Sequence, residues 1–83
     1  MSEGILAAAR RFPGRQSDVE ELAARDEEFR LLCIDFADAE AALRHWEASS
    51  SPTRQQRCAE YRMLIEDLAG EIETALRALT GGR

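Results

Sequence analysis

The sequence predicts an all-α fold: an antiparallel helical hairpin with a short N-terminal arm, which pairs into a four-helix bundle. Two series of apolar residues with a seven-residue interval lead to this prediction, and a polar break at 49–52 separates them. The two series are Leu22, Phe29, Phe36, Leu43 and Cys58, Ile65, Ile72, Leu79. Two heptad-patterned segments of similar length around a short break are typical of helices that fold back on one another.

Residues 1–16 are predicted to form the N-terminal arm, with a short amphipathic helix over 3–11. The apolar residues of that helix are Ile5, Leu6 and Ala9. The segment Phe12-Pro13-Gly14 should end the helix, because proline blocks helix continuation and glycine permits a turn.

Residues 17–83 are predicted to form the hairpin, and its first helix is expected over 18–48. This helix should begin at a capping box. Ser17 would cap the free backbone N–H groups, and the Glu20 side chain would reach back to the serine.

The turn is predicted at 49–51 and the second helix over 52–80. Ser51 can serve as its cap, and Pro52 suits the first helical position because its missing N–H costs nothing there. Gly81-Gly82 is a usual helix end.

Folding the chain at the serines brings the two apolar series together. The expected pairs are Leu22 with Leu79, Phe29 with Ile72, Phe36 with Ile65, and Leu43 with Cys58. The predicted core consists of Phe29, Leu32, Phe36, Ile65, Leu68 and Ile72. Trp46 falls opposite Arg54 near the turn, where the guanidinium group can stack on the indole.

The net charge of −5 argues against general nucleic-acid binding, because phosphates require an excess of cations. The basic cluster Arg10, Arg11 and Arg15 could contact an anionic membrane surface or a nucleic acid. The alternative is an arm that packs on the end of the bundle, which the acidity of the rest of the chain favours. No segment reaches the length of an apolar membrane span, and we expect a cytoplasmic protein.

The sequence carries no catalytic motif, and we expect neither an enzyme nor a bound cofactor. His45 is the only histidine, and alanine occupies the positions where a di-iron bundle would need glutamate. A thiol- or metal-responsive sensor that uses Cys33, Cys58 and His45 is the alternative function. Cys58 is expected to be a small buried apolar residue. Cys33 flanks the apolar series, is expected to be partly accessible and is the predicted redox-sensitive thiol. The two cysteines should lie about 15 Å apart, too far for a disulfide.

Several apolar residues fall outside the two series and predict an interface. The candidates are Leu31, Ile34, Met63, Leu64 and Leu76. Two helices alone cannot cover so broad an apolar surface, and such a surface usually marks a partner. We therefore expect a non-enzymatic protein–protein interaction or adaptor module that forms a homodimer through its helix faces. An unidentified partner helix could cover the same surface.

Four segments of the chain carry a family resemblance. They are Phe12-Pro13, Asp26-Glu27-Glu28-Phe29-Arg30-Leu31-Leu32, Glu60-Tyr61-Arg62-Met63-Leu64 and Asp67-Leu68-Ala69-Gly70-Glu71-Ile72. With them the chain resembles the YdcH-like family of small bacterial helical-hairpin proteins, whose function is uncharacterised. The chain departs from the family pattern because it has no lysine. The resemblance implies a helix–loop–helix that dimerises, with no catalytic residues to carry over.

Overall fold

The computed structural model describes residues 2–81, and helices are the only regular secondary structure in this part of the chain. The prediction of an all-α fold is therefore confirmed. The elements are α1 (Glu3–Arg11), a short 3-10 helix (Pro13–Arg15), α2 (Gln16–Arg25), α3 (Glu27–Glu47) and α4 (Arg54–Gly81). Helix α3 packs against α4 on one side and against α1 on another, and α2 contacts both α3 and α4.

Helix α1 has the predicted bounds but buries a different face. Its start is capped by Ser2, whose hydroxyl accepts a hydrogen bond from the backbone of Ile5 at 3.3 Å. The buried residues of α1 are Gly4, Ala7 and Ala8. Leu6, which the sequence predicts on the apolar face, is 39% exposed. Small residues form the contact because α1 lies very close to α3.

The close approach of α1 to α3 is centred on Gly4. A Cβ atom at this position would lie 2.8 Å from the backbone nitrogen of Ile34 and 2.9 Å from the carbonyl carbon of Cys33. Both of these are backbone atoms, so no flexible side chain can move away. The N-terminal arm is therefore part of the packed core.

The helix predicted over 18–48 is divided at Asp26 into α2 and α3. Asp26 has an extended conformation, with φ −129° and ψ 106°. Its carboxylate accepts a hydrogen bond from the backbone of Phe29 at 3.1 Å, as expected of an aspartate N-cap. The seven-residue interval does not reveal this break, because Leu22 and Phe29 are buried on either side of it.

The predicted capping box at Ser17 is wrong. Helix α2 begins two residues earlier than predicted, at Gln16, and no side chain caps it. Instead, Arg15 fixes this end of the helix. Its Nε donates to Asp18 Oδ2 at 2.7 Å, and its NH2 group donates to the carbonyl oxygen of Leu76 on α4 at 2.9 Å.

The serine turn is longer than predicted, and α4 begins at Arg54 rather than at Pro52. Serine hydroxyl groups accept hydrogen bonds from backbone N–H groups of the turn. Ser49 Oγ accepts from the backbone of Ser51 at 3.0 Å, and Ser51 Oγ accepts from that of Thr53 at 3.2 Å. Serine and threonine side chains offer the backbone such local alternatives to helical hydrogen bonds.

The predicted core is buried except for Leu32, which is half-buried. Helix α2 adds Val19, Leu22 and Ala23, and α4 adds Ala69 and Leu76. The largest fully buried side chains are Phe36, Ile72, Leu76, Val19 and Cys33.

An exposed ion pair joins α1 to α4. Arg11 NH2 lies 2.8 Å from Glu66 Oε1. This guanidinium group lowers the pKa of the Glu66 carboxyl, and the carboxylate in turn raises the pKa of Arg11. Since both side chains are exposed to solvent, the pair contributes little to stability.

Candidate interaction surface

A long groove runs between α3 and α4 and is here called the α3/α4 groove. It has a central section and two end sections, which share Asp35 at one junction and Tyr61 and Leu64 at the other. The residues that line it come from α3, α4 and the positions next to their N-termini, and none comes from α1 or α2. The first two helices therefore leave this side of α3 and α4 open.

The central section is mostly apolar, with Asp35 and Asp38 at its α3 edge. Small residues on α3 face larger ones on α4. The α3 side presents Ala39 and Ala42, and the α4 side presents Tyr61, Leu64 and Leu68. Leu64 is 44% exposed, and Tyr61 is half-buried. A helix or a second copy of the chain could cover these side chains.

The turn end of the groove contains Trp46 and Arg57. The guanidinium carbon of Arg57 lies 5.9 Å from the centre of the indole ring. This contact replaces the predicted stacking of Arg54, which instead donates to the carbonyl oxygen of Glu47 at 3.0 Å. Arg57 also forms an exposed ion pair with Glu60 at 3.0 Å.

The opposite end of the groove is acidic. Its charged lining residues are Asp26, Glu28, Asp35 and Glu71, and no basic residue lines this section. Among the apolar residues there is Leu31, which is 51% exposed. The charged residues of the groove are thus an arginine and a glutamate at the turn end and only carboxylates at the other.

The structure separates the predicted interface residues into three groups. Leu31 and Leu64 line the α3/α4 groove. Met63 and Ile34 are exposed but do not belong to its lining. Leu76 is only 1% exposed, so its assignment to the interface is wrong. Leu76 lies in the core formed with α1 and α2, which a hairpin of two long helices does not provide.

The prediction that Cys33 is partly accessible is also wrong. Cys33 is completely buried, with α1 packed on its backbone at Gly4. Burial raises the pKa of the Cys33 thiol to about 11. Such a thiol is a poor nucleophile, because the thiolate is the reactive form.

The other residues of the sensor hypothesis do not form a metal site with Cys33. Cys58 is a free, buried cysteine, and His45 is exposed beside Trp46, with ring centres 5.8 Å apart. Between residues 2 and 81 there is no group of three or more His, Cys, Asp or Glu residues that could hold a metal ion.

Both cysteines should react slowly with a thiol reagent in the native protein. We expect labelling at least about a thousandfold slower than in denaturant, because each thiol is exposed only when the structure opens. Mass spectrometry over a time course measures this. A Ser50→Cys variant, with its new thiol in the exposed turn, provides a rapidly labelled control. Fast labelling of Cys33 alone would restore the redox-sensor hypothesis.

The basic cluster of the N-terminal arm is largely engaged within the protein. Arg11 pairs with Glu66, and Arg15 contacts both Asp18 and the backbone of Leu76. Arg10 is exposed at the end of α1. These contacts favour the interpretation of the arm as a packed element.

Comparison with protein-family models, curated proteins and solved structures gives no match. The resemblance to the YdcH-like family therefore stays a prediction. Within residues 2–81, no helix has both the length and the apolar character needed to span a membrane.

The pattern of apolar residues in the sequence predicts two apolar residues of the groove but none of its charged residues. Leu31 and Leu64 stood out because they lie outside the two apolar series. Nothing in the sequence marks Arg57 and Glu71 as groove residues, since an exposed charged residue on a helix is ordinary. Only the arrangement of α3 beside α4 shows that these two charges lie toward opposite ends of one groove.

Proposed function

We propose that this protein is a non-enzymatic interaction module that associates with itself through the α3/α4 groove. In this arrangement α3 and α4 of two copies form a four-helix bundle. The observation that supports the proposal is the apolar side of these helices, which no other part of residues 2–81 covers.

Covering the groove is energetically favourable. Full burial of an exposed leucine contributes about 1.5–3 kcal/mol, so the exposed half of Leu64 is worth about 1 kcal/mol. Leu31, Tyr61 and Trp46 add further apolar area. A two-fold axis doubles each contribution, because the same surface is buried on both copies.

The proposal is tested by placing a charge in the groove. Leu64→Glu should raise the dissociation constant of the dimer by at least about tenfold, because it buries a carboxylate without a partner. Sedimentation equilibrium over a range of concentrations measures the constant.

Met63→Glu is the matched control, since it changes the neighbouring residue in the same way. Met63 is 71% exposed and lies outside the groove lining, so we expect this variant to associate like the wild type. Equal weakening by both variants, or a wild-type protein that is monomeric at all concentrations, would contradict the proposal.

A further inference from the structure

We infer that the two copies pack groove to groove with their serine turns at opposite ends, so that Arg57 of each copy faces Glu71 of the other. This inference rests on the proposed function and concerns the orientation of the copies. It follows from the distribution of charge along the α3/α4 groove.

The charge distribution distinguishes the two arrangements that a two-fold axis allows. If both turns lay at the same end, Glu71 would lie against the carboxylates of Glu28 and Asp35 in the other copy. Like charges in such proximity oppose association. If the turns lie at opposite ends, the acidic end of each groove meets the section that contains Arg57 together with Glu60, which is the only lining section with a positive charge.

The spacing along α4 fits the second arrangement. Arg57 and Glu71 are each seven residues from Leu64, which places all three on one side of the helix. A two-fold axis that lies in the interface, perpendicular to α4 at the level of Leu64, brings this leucine against its own copy. The same axis sets Arg57 opposite Glu71 twice in each dimer.

Existing contacts of Arg57 do not prevent this pairing. Its ion pair with Glu60 is formed by exposed side chains, and such pairs are weak. The axis also brings Asp35 and Asp38 near their copies on α3. The burial of Leu64 and of the other apolar side chains along the groove acts against that repulsion.

The orientation can be measured with spin labels on the Ser50→Cys variant, whose new thiol lies in the exposed turn. The helical stretch from Arg54 to Leu64 spans about 15 Å, and Ser50 lies in the turn beyond it. Opposite orientation therefore predicts a separation of about 30–40 Å between the labels. Turns at the same end would give about 20 Å or less, the width of two packed helices. A short distance overturns the inference and leaves self-association standing, whereas a monomer overturns both.

Charge reversal provides a second test that does not depend on the label. Arg57→Glu and Glu71→Arg should each raise the dissociation constant about tenfold, because the two-fold axis repeats each loss. Combining both changes in one chain should restore wild-type association. With turns at the same end, Glu71→Arg would instead strengthen it by facing Glu28 and Asp35.

Glu73→Arg serves as the control for net charge. Glu73 is exposed on the same helix and does not line the groove. We expect this variant to associate like the wild type. Failure of the combined variant to recover, or equal weakening by Glu73→Arg, would overturn the pairing of Arg57 with Glu71.

Discussion

Phe36→Ala should lower the free energy of unfolding by about 3–5 kcal/mol, the range for removal of a buried phenylalanine ring. Phe36 has no exposed surface and belongs to the core formed by all four helices. The loss combines the transfer free energy of the ring with the cost of the cavity. Urea denaturation followed by circular dichroism measures the change.

Two further variants test that the effect comes from burial. Met63→Ala, which truncates a side chain that is 71% exposed, should change the free energy of unfolding by no more than about 0.5 kcal/mol. Phe36→Leu should cost less than Phe36→Ala, because it retains most of the volume. A Phe36→Ala protein as stable as the wild type would show that the core is not assembled around this ring.

Gly4→Ala should destabilise the protein by about 1–3 kcal/mol, although alanine is the better helix former. The added methyl group would lie 2.8 Å from a backbone atom of α3, and α1 must move away to accommodate it. Differential scanning calorimetry measures the loss of stability. Hydrogen exchange should show faster opening of α1.

Gly70→Ala is the same kind of substitution, but we expect it to have the opposite effect on stability. Gly70 is exposed on α4, and nothing lies within 4 Å of the position of its Cβ atom. This substitution should stabilise the protein by about 0.4–1 kcal/mol, through helix propensity and a less flexible unfolded chain. Stabilisation by both substitutions would mean that α1 does not contact α3 closely.

The candidate surface could be predicted only in part. Leu31 and Leu64 lie outside the two apolar series, which predicts that they are exposed apolar residues, and both line the groove. Leu76 satisfied the same criterion and is buried. Position relative to a periodic pattern cannot distinguish these cases, because burial depends on which other elements cover that side of the helix.

The sequence alone determined the helical class, the bounds of α1 and most of the core. These follow from local properties: the proline and glycine after Phe12, and the seven-residue spacing that keeps Phe29, Phe36, Ile65 and Ile72 on one side of their helices. The tertiary structure decided three other features: the contact of small α1 residues with α3, the burial of Cys33, and the set of charges that line the groove. Those features depend on the positions of separate helices relative to one another, which no periodicity within one helix specifies.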